Sequence, residues 1–108
     1  MTPDQVNLLR KLALNEREAT NLVMSGSLAD SLRLDAGTAA LVRLAALLSV
    51  DSDPATFQWA AELAMAAGVD DDEIFHALLV VAPIIGVARM TAALPHLMAA
   101  LELEVVEG

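Results

Sequence analysis

The chain of 108 residues carries 15 acidic residues against 6 basic ones, so its net charge is -9 at pH 7. Such a charge repels phosphate backbones, and the bases form no run, which argues against nucleic acid as a partner. The chain contains no cysteine. Disulfides, thiol catalysis and thiolate metal sites are therefore excluded for these residues.

Apolar residues make up 56% of the chain, above the usual share of about 45 to 50%. Alanine and leucine dominate, whereas aromatic residues reach only 3%, and this composition favours helices over strands. We expect one all-α domain. The excess of apolar residues predicts a subunit interface, and hence a homo-oligomer.

Location and membrane contact follow from two patterns. The N-terminus lacks the basic-then-apolar pattern of a signal peptide, so we expect a cytoplasmic protein. The neutral run from Ile74 to Ala88 has 15 residues, short of the roughly 18 to 20 that a membrane span needs. Pro83 and Gly86 interrupt this run, and we expect no membrane span.

Two short helices are predicted before residue 33. Thr2 and Pro3 have the pattern of a helix start, and the apolar spacing continues to about Leu14. Asn15, with an acid three residues later, resembles a capping box and predicts a second helix to about Met24. We expect residues 1–33 to form an N-terminal helical segment that packs on the core.

The third and fourth predicted helices have clear start signals. Asp35 caps a helix that extends to about Val50. The dipeptide Asp53-Pro54 starts the next helix, which ends at Gly68 in a left-handed cap.

The fifth and sixth predicted helices both contain proline. Asp70 begins the fifth helix in a capping box. Pro83 predicts either a kink near Leu79 or an end of the helix between Pro83 and Gly86. The last helix runs from about Val87 to Leu103, with a kink or break expected at its interior proline. The stretch from Glu73 to Arg89 is apolar on nearly every side, so we expect other helices to surround it at the centre of the fold.

Three segments carry a resemblance to a known family: L-D-A-G-T-A-A-L-V-R-L-A-A-L-L from Leu34, A-A-G-V-D-D-D-E-I around Gly68, and L-L-V-V-A-P-I-I-G-V-A-R from Leu78. Their order and spacing resemble the carboxymuconolactone decarboxylase family, which includes alkylhydroperoxidase D, over about residues 34–101. The resemblance implies an alkylhydroperoxidase D-like helical bundle of about six helices that assembles into trimers, hexamers or larger rings. We assign residues 34–103 to this core and residues 104–108 to an acidic tail.

The catalytic motifs of that family are missing here. The resemblance places the two cysteines of the peroxidase motif near Asp53 and Thr56, its histidine near Ala60 and its proton-relay glutamate near Ala40. In the decarboxylase pattern F-x-x-H, Phe57 matches the aromatic position, but the histidine position is again Ala60. Alanine cannot transfer a proton, so the resemblance implies that the catalytic groups of both the peroxidase and the decarboxylase reactions are missing.

The remaining acid/base candidates are His76 and Glu62, with His96 as the other histidine. A catalytic histidine must face a cavity with a pKa near the working pH. The alternative is a histidine packed beside the core or at a subunit boundary. The two histidines lack a third ligand, so we expect no metal and no other cofactor.

Four residues are candidate ligand contacts: Arg43, Arg89, Trp59 and Phe57. Each arginine lies in an apolar stretch, where a buried guanidinium needs either an internal acid such as Glu62 or an anionic ligand. The two aromatic residues are two positions apart and point to different sides of a helix. They either line a pocket or are both simply buried.

Two functions remain open. The first is a non-peroxidatic protein of this family type that binds a small anionic or apolar molecule, or serves assembly, and retains the oligomer without the redox centre. The alternative is a cysteine-independent, decarboxylase-like lyase or isomerase that acts on a small anionic substrate by acid/base catalysis. Whether the protein is an enzyme is left open, but it is not a thiol peroxidase.

Overall fold

The structure is a computed structural model that describes residues 1–28, 33–50 and 52–105. It divides into two units, Met1–Arg33 and Leu34–Gly108. The described ranges hold six helices and no strand, which confirms the all-α class. None of these helices combines the length and the apolar content needed to cross a membrane.

The first unit contains α1 (Pro3–Ala13) and α2 (Arg17–Met24). Thr2 caps α1 as predicted, in a reciprocal pair of hydrogen bonds with Gln5. The predicted role of Asn15 is wrong. Asn15 has a φ of 56°, so it lies in the left-handed region just after α1, a conformation that asparagine tolerates better than most residues. It belongs to the end of α1, and Glu16 is the N-cap of α2.

In the second unit, α3 (Ala36–Ser49) and α4 (Pro54–Ala66) begin where the sequence predicts. The carboxylates of Asp35 and Asp53 accept hydrogen bonds from the backbone N–H groups of Thr38 and Thr56, at 2.8 and 2.7 Å. Gly68 follows α4 with a φ of 82°, the left-handed conformation expected of it.

Two further helices complete this unit, α5 (Asp71–Ile85) and α6 (Val87–Ala100). Asp70 and Glu73 form the predicted capping box. The helix ends at Gly86, which has a φ of 85°, inside the predicted range. The sixth helix continues through Pro95 without a break, and the residues Ala93 and Leu97 on either side of it are buried.

The centre of the second unit is α4, which packs against α3 and α6. One side of α4 is fully buried and consists of Phe57 and the alanines Ala60, Ala61 and Ala64. Three alanines on this side leave little side chain between the helices, so the neighbouring backbones can approach closely. Leu44 and Leu48 of α3 belong to the same buried cluster as Phe57.

The prediction that helices cover every side of the stretch Glu73–Arg89 is wrong for a single chain. Ile74 is the one residue of α5 that is buried, and the helix packs against α3 and α6. Two neighbours can cover only one half of a helix. The other half exposes large apolar side chains, so the fifth helix lies at the surface of its unit.

Candidate functional site

The N-terminus of α4 is the place where the family resemblance puts the redox centre, and here it is built from Asp53 and Thr56. Asp53 Oδ1 accepts hydrogen bonds from the backbone N–H of Thr56 at 2.7 Å and from its hydroxyl at 2.8 Å. These two bonds, with smaller effects of the Ala55 N–H and of the charge on His96, lower the pKa of Asp53 below its usual value despite some desolvation. Asp53 therefore serves as the carboxylate N-cap of α4.

His96 of α6 lies beside this N-terminus. Its ring centre is 6.2 Å from that of Phe57, with the ring planes at 34°, and its charge acts on Asp53. Phe57 is fully buried, so its ring belongs to the core. Sequence reasoning considered His96 but placed His76 first, because no spacing pattern shows which α6 residue reaches the start of α4.

The other two positions that the resemblance assigns to the motif, Ala40 and Ala60, are both in the core. Ala40 is on α3 and Ala60 on α4, two helices that pack on each other, and both side chains are buried. At these two positions, where the resemblance places a glutamate and a histidine, the chain has small buried side chains. No proton donor remains at either position.

Arg43 and Trp59 are the two predicted ligand residues that the structure brings into contact. The guanidinium carbon of Arg43 lies 5.4 Å from the centre of the Trp59 ring, a cation–π geometry. Trp59 is 51% exposed, so one part of the indole remains available at the surface. A cation beside an open aromatic surface suits an aromatic or unsaturated carboxylate.

Glu62 lines a surface groove of about 360 Å³. Its Oε1 accepts a hydrogen bond from the Gln58 amide at 3.0 Å. Two more acidic residues line the same groove, Asp71 and Glu102. The groove is therefore acidic and unsuited to an anionic substrate.

His76 and Arg89 are both exposed. His76 Nε2 is 3.6 Å from Asp72 Oδ2 on the same helix, and its ring lies edge-on to Phe75 at 5.4 Å. Arg89 lies in the first turn of α6. Of the six candidates, Arg43 and Trp59 are in contact with each other. The roles proposed for all six stay predictions.

A second, apolar cleft of about 270 Å³ lies between α5 and α6. Its walls are almost entirely aliphatic or aromatic, and the acid Asp71 is the one charged residue that lines it. The lining comprises Ile74, Phe75, Leu78, Leu94, Leu97, Met98, Leu101 and Leu103. Sequence reasoning missed this cleft, since its residues look like ordinary core positions until the packing of the two helices is known.

Within residues 1–28, 33–50 and 52–105, no three His, Asp or Glu side chains are grouped so that they could hold a metal ion. The three acids at the start of α5 instead lie at the positive end of the helix dipole, where they stabilise the helix.

The comparison with protein families gives one match. The model of the carboxymuconolactone decarboxylase family covers residues 17–99, so it extends beyond the predicted range into α2. No curated protein and no solved structure matches the sequence significantly. Since the family model covers well over half of the chain, the resemblance is confirmed, and the chain belongs to the carboxymuconolactone decarboxylase family.

Proposed function

We propose that this protein is a non-peroxidatic member of the family that keeps a homo-oligomeric assembly and binds a small apolar molecule without a redox centre. The observation that carries the proposal is the apolar cleft between α5 and α6. Binding sites for small molecules are typically concave and mostly apolar, with few polar groups. The cleft has this character, and the acidic groove beside Glu62 does not.

The loss of the redox centre is supported by the sequence and by the packing. The chain has no cysteine. Ala40 and Ala60, at the positions of the proton relay and the histidine, are buried in contact with other apolar residues. Restoring either group would place an ionisable side chain in a dry core, which costs free energy unless a partner is supplied.

The homo-oligomer is supported by the exposed apolar surface. In the second unit, large apolar side chains on α5 and at the start of α6 are more than half exposed. A contiguous apolar surface of this kind on a small protein is typical of an interaction site. A cytoplasmic location, and the absence of nucleic-acid and membrane partners, stay predictions.

Titration with a neutral fluorescent naphthylamine probe tests the cleft. We expect saturable binding to the wild-type protein, weakened several-fold by Leu94→Phe, which adds bulk to a half-buried lining residue. Val42→Phe is the matched control, because Val42 is an exposed residue on α3 outside this lining. Equal binding by the wild type and both variants would show that the probe does not enter the cleft.

The alternative, a cysteine-independent lyase or isomerase, draws its support from the Arg43–Trp59 pair. In that mechanism the pair holds a carboxylate, and His76 or Glu62 moves the proton. Both proposed acid/base groups are exposed and have different neighbours, which favours the binding function. Turnover of a small unsaturated lactone or carboxylate, abolished by both His76→Gln and Arg43→Ala, would instead support the enzyme.

A further inference from the structure

The exposed half of α5 is apolar over its last three turns. Phe75, Leu79 and Pro83 form one row at four-residue spacing, and Val80 and Ile84 belong to the adjacent row. All five are exposed, Val80 by 72% and Ile84 by 82%. This surface, called here the α5 face, is an apolar stripe along the helix, and the exposed His76 precedes Val80 in the adjacent row.

Formal charges lie only at the two ends of this stripe. Asp71, Asp72 and Glu73 form the first turn of α5. No Asp, Glu, Lys or Arg follows until Arg89, which lies four residues beyond the end of the helix and is exposed. The α5 face therefore has acids at its first turn and an apolar middle, and Arg89 lies in the first turn of α6, next to the other end of α5.

We infer that the α5 face pairs with the same face of a second copy, antiparallel, about a twofold axis near Val80. This inference rests on the proposed homo-oligomer and names its surface. A twofold contact presents the same residues from both copies. In the antiparallel orientation the acids of each copy meet the partner's Arg89, so two favourable charge contacts form at once.

The charge pattern favours a second copy of the chain as the partner, and it favours the antiparallel orientation. Parallel pairing would place the acids of one copy beside those of the other, in a chain whose net charge is already -9. Overlap of the whole stripe from Phe75 to Ile84 sets the register, because the middle of these positions falls between Leu79 and Val80. Val80 of one copy then lies close to the partner's Val80.

A cysteine-free chain makes this register directly testable. Val80→Cys introduces a single thiol, and under mild oxidation we expect rapid formation of a disulfide-linked dimer. Val42→Cys is the control: Val42 is also exposed but lies on α3, and we expect slow, concentration-dependent crosslinking only. Equal rates for the two variants overturn the proposed axis.

Charge reversal tests the orientation by sedimentation velocity. Arg89→Glu places acid against acid twice, and we expect the dissociation constant to rise roughly tenfold. Adding Asp72→Arg restores opposite charges across the axis, so the double variant recovers most of the affinity. An oligomeric wild type with no rescue and no Val80→Cys crosslink overturns the α5 pairing but leaves the homo-oligomer intact. A monomeric wild type overturns both.

Discussion

Arg43 stacks on Trp59, with the guanidinium carbon 5.4 Å from the ring centre, and this contact joins α3 to α4. Trp59 is the only tryptophan of the chain, so its fluorescence reports on this contact. Arg43→Ala removes the cation and the aliphatic stem that covers the indole. We expect the free energy of unfolding to fall by roughly 0.5 to 1 kcal/mol, with altered tryptophan emission.

The controls for this contact are Arg43→Lys and Arg10→Ala. Lysine keeps the charge but not the planar group, so it should retain part of the stabilisation. Arg10, in the last turn of α1, is exposed and should leave the emission of Trp59 unchanged. Equal emission and stability in all three variants would show that the stacking contributes nothing in solution.

We expect substitution of the two phenylalanines of the chain to affect stability in different ways. Phe57 is 0% exposed, and Phe57→Ala should lower the free energy of unfolding by about 3 to 5 kcal/mol at every protein concentration. Phe75 is half exposed on the α5 face, so the effect of Phe75→Ala should depend on protein concentration through subunit association. Urea unfolding at low and high micromolar concentration separates these outcomes; a concentration-independent loss at Phe75 would contradict its place in an interface.

Acid sensitivity follows from the two capping carboxylates. Hydrogen bonds from the Thr38 N–H and hydroxyl lower the pKa of Asp35, and the equivalent Thr56 groups lower the pKa of Asp53. Because each pKa is lower in the folded state than in the unfolded state, the stabilisation is present above about pH 4 and is lost as the pH falls through the folded-state pKa.

The double variant Asp35→Asn, Asp53→Asn tests this acid dependence. Asparagine also caps helices but does not titrate in this range, so the variant should lose less stability below pH 4 than the wild type. Glu102→Gln with Glu104→Gln removes the same number of exposed carboxylates near the C-terminus. The urea midpoint of each double variant is measured from pH 3 to 7. The midpoint should change less with pH in the Asp35/Asp53 variant than in the Glu102/Glu104 variant. The same pH dependence in both variants would contradict the role of the caps.

The connection between α5 and α6 depends on one glycine. Gly86 has a φ of 85°, and although a Cβ would meet no atom within 4 Å, the backbone conformation is strained for any L side chain. Gly86→Ala should therefore cost about 1 to 2 kcal/mol. At Gly37, in the first turn of α3, a Cβ makes only ordinary contacts, with 3.4 Å to Asp35 Oδ1 as the nearest. Gly37→Ala should be neutral or stabilising in thermal denaturation, and equal losses at both sites would contradict this account.

Helix starts were predictable because their signals are local. Asp35, Asp53-Pro54 and the pair Asp70 and Glu73 each cap a helix with residues within three positions of one another. Asn15 was misassigned because the same residue type suits an N-cap and a left-handed helix end. The choice depends on the preceding turn of α1, which a spacing rule does not include.

Burial and the candidate site were less predictable because they depend on which helices become neighbours. Its apolar composition predicted that α5 is the central helix. The central helix is instead α4, whose small alanine side chains allow it to pack between α3 and α6. The cleft between α5 and α6, and the approach of His96 to Asp53, arise from contacts distant in sequence. The contact of Arg43 with Trp59 also depends on the packing of α3 on α4.

We predict that this cysteine-free family member forms a homo-oligomer, because a single chain exposes a large apolar surface. Multi-angle light scattering of the purified wild-type protein across the micromolar range tests it most directly. We predict a molar mass that is a whole-number multiple, two or greater, of the 11.3 kDa chain. A stable mass of 11.3 kDa at every concentration would contradict the account.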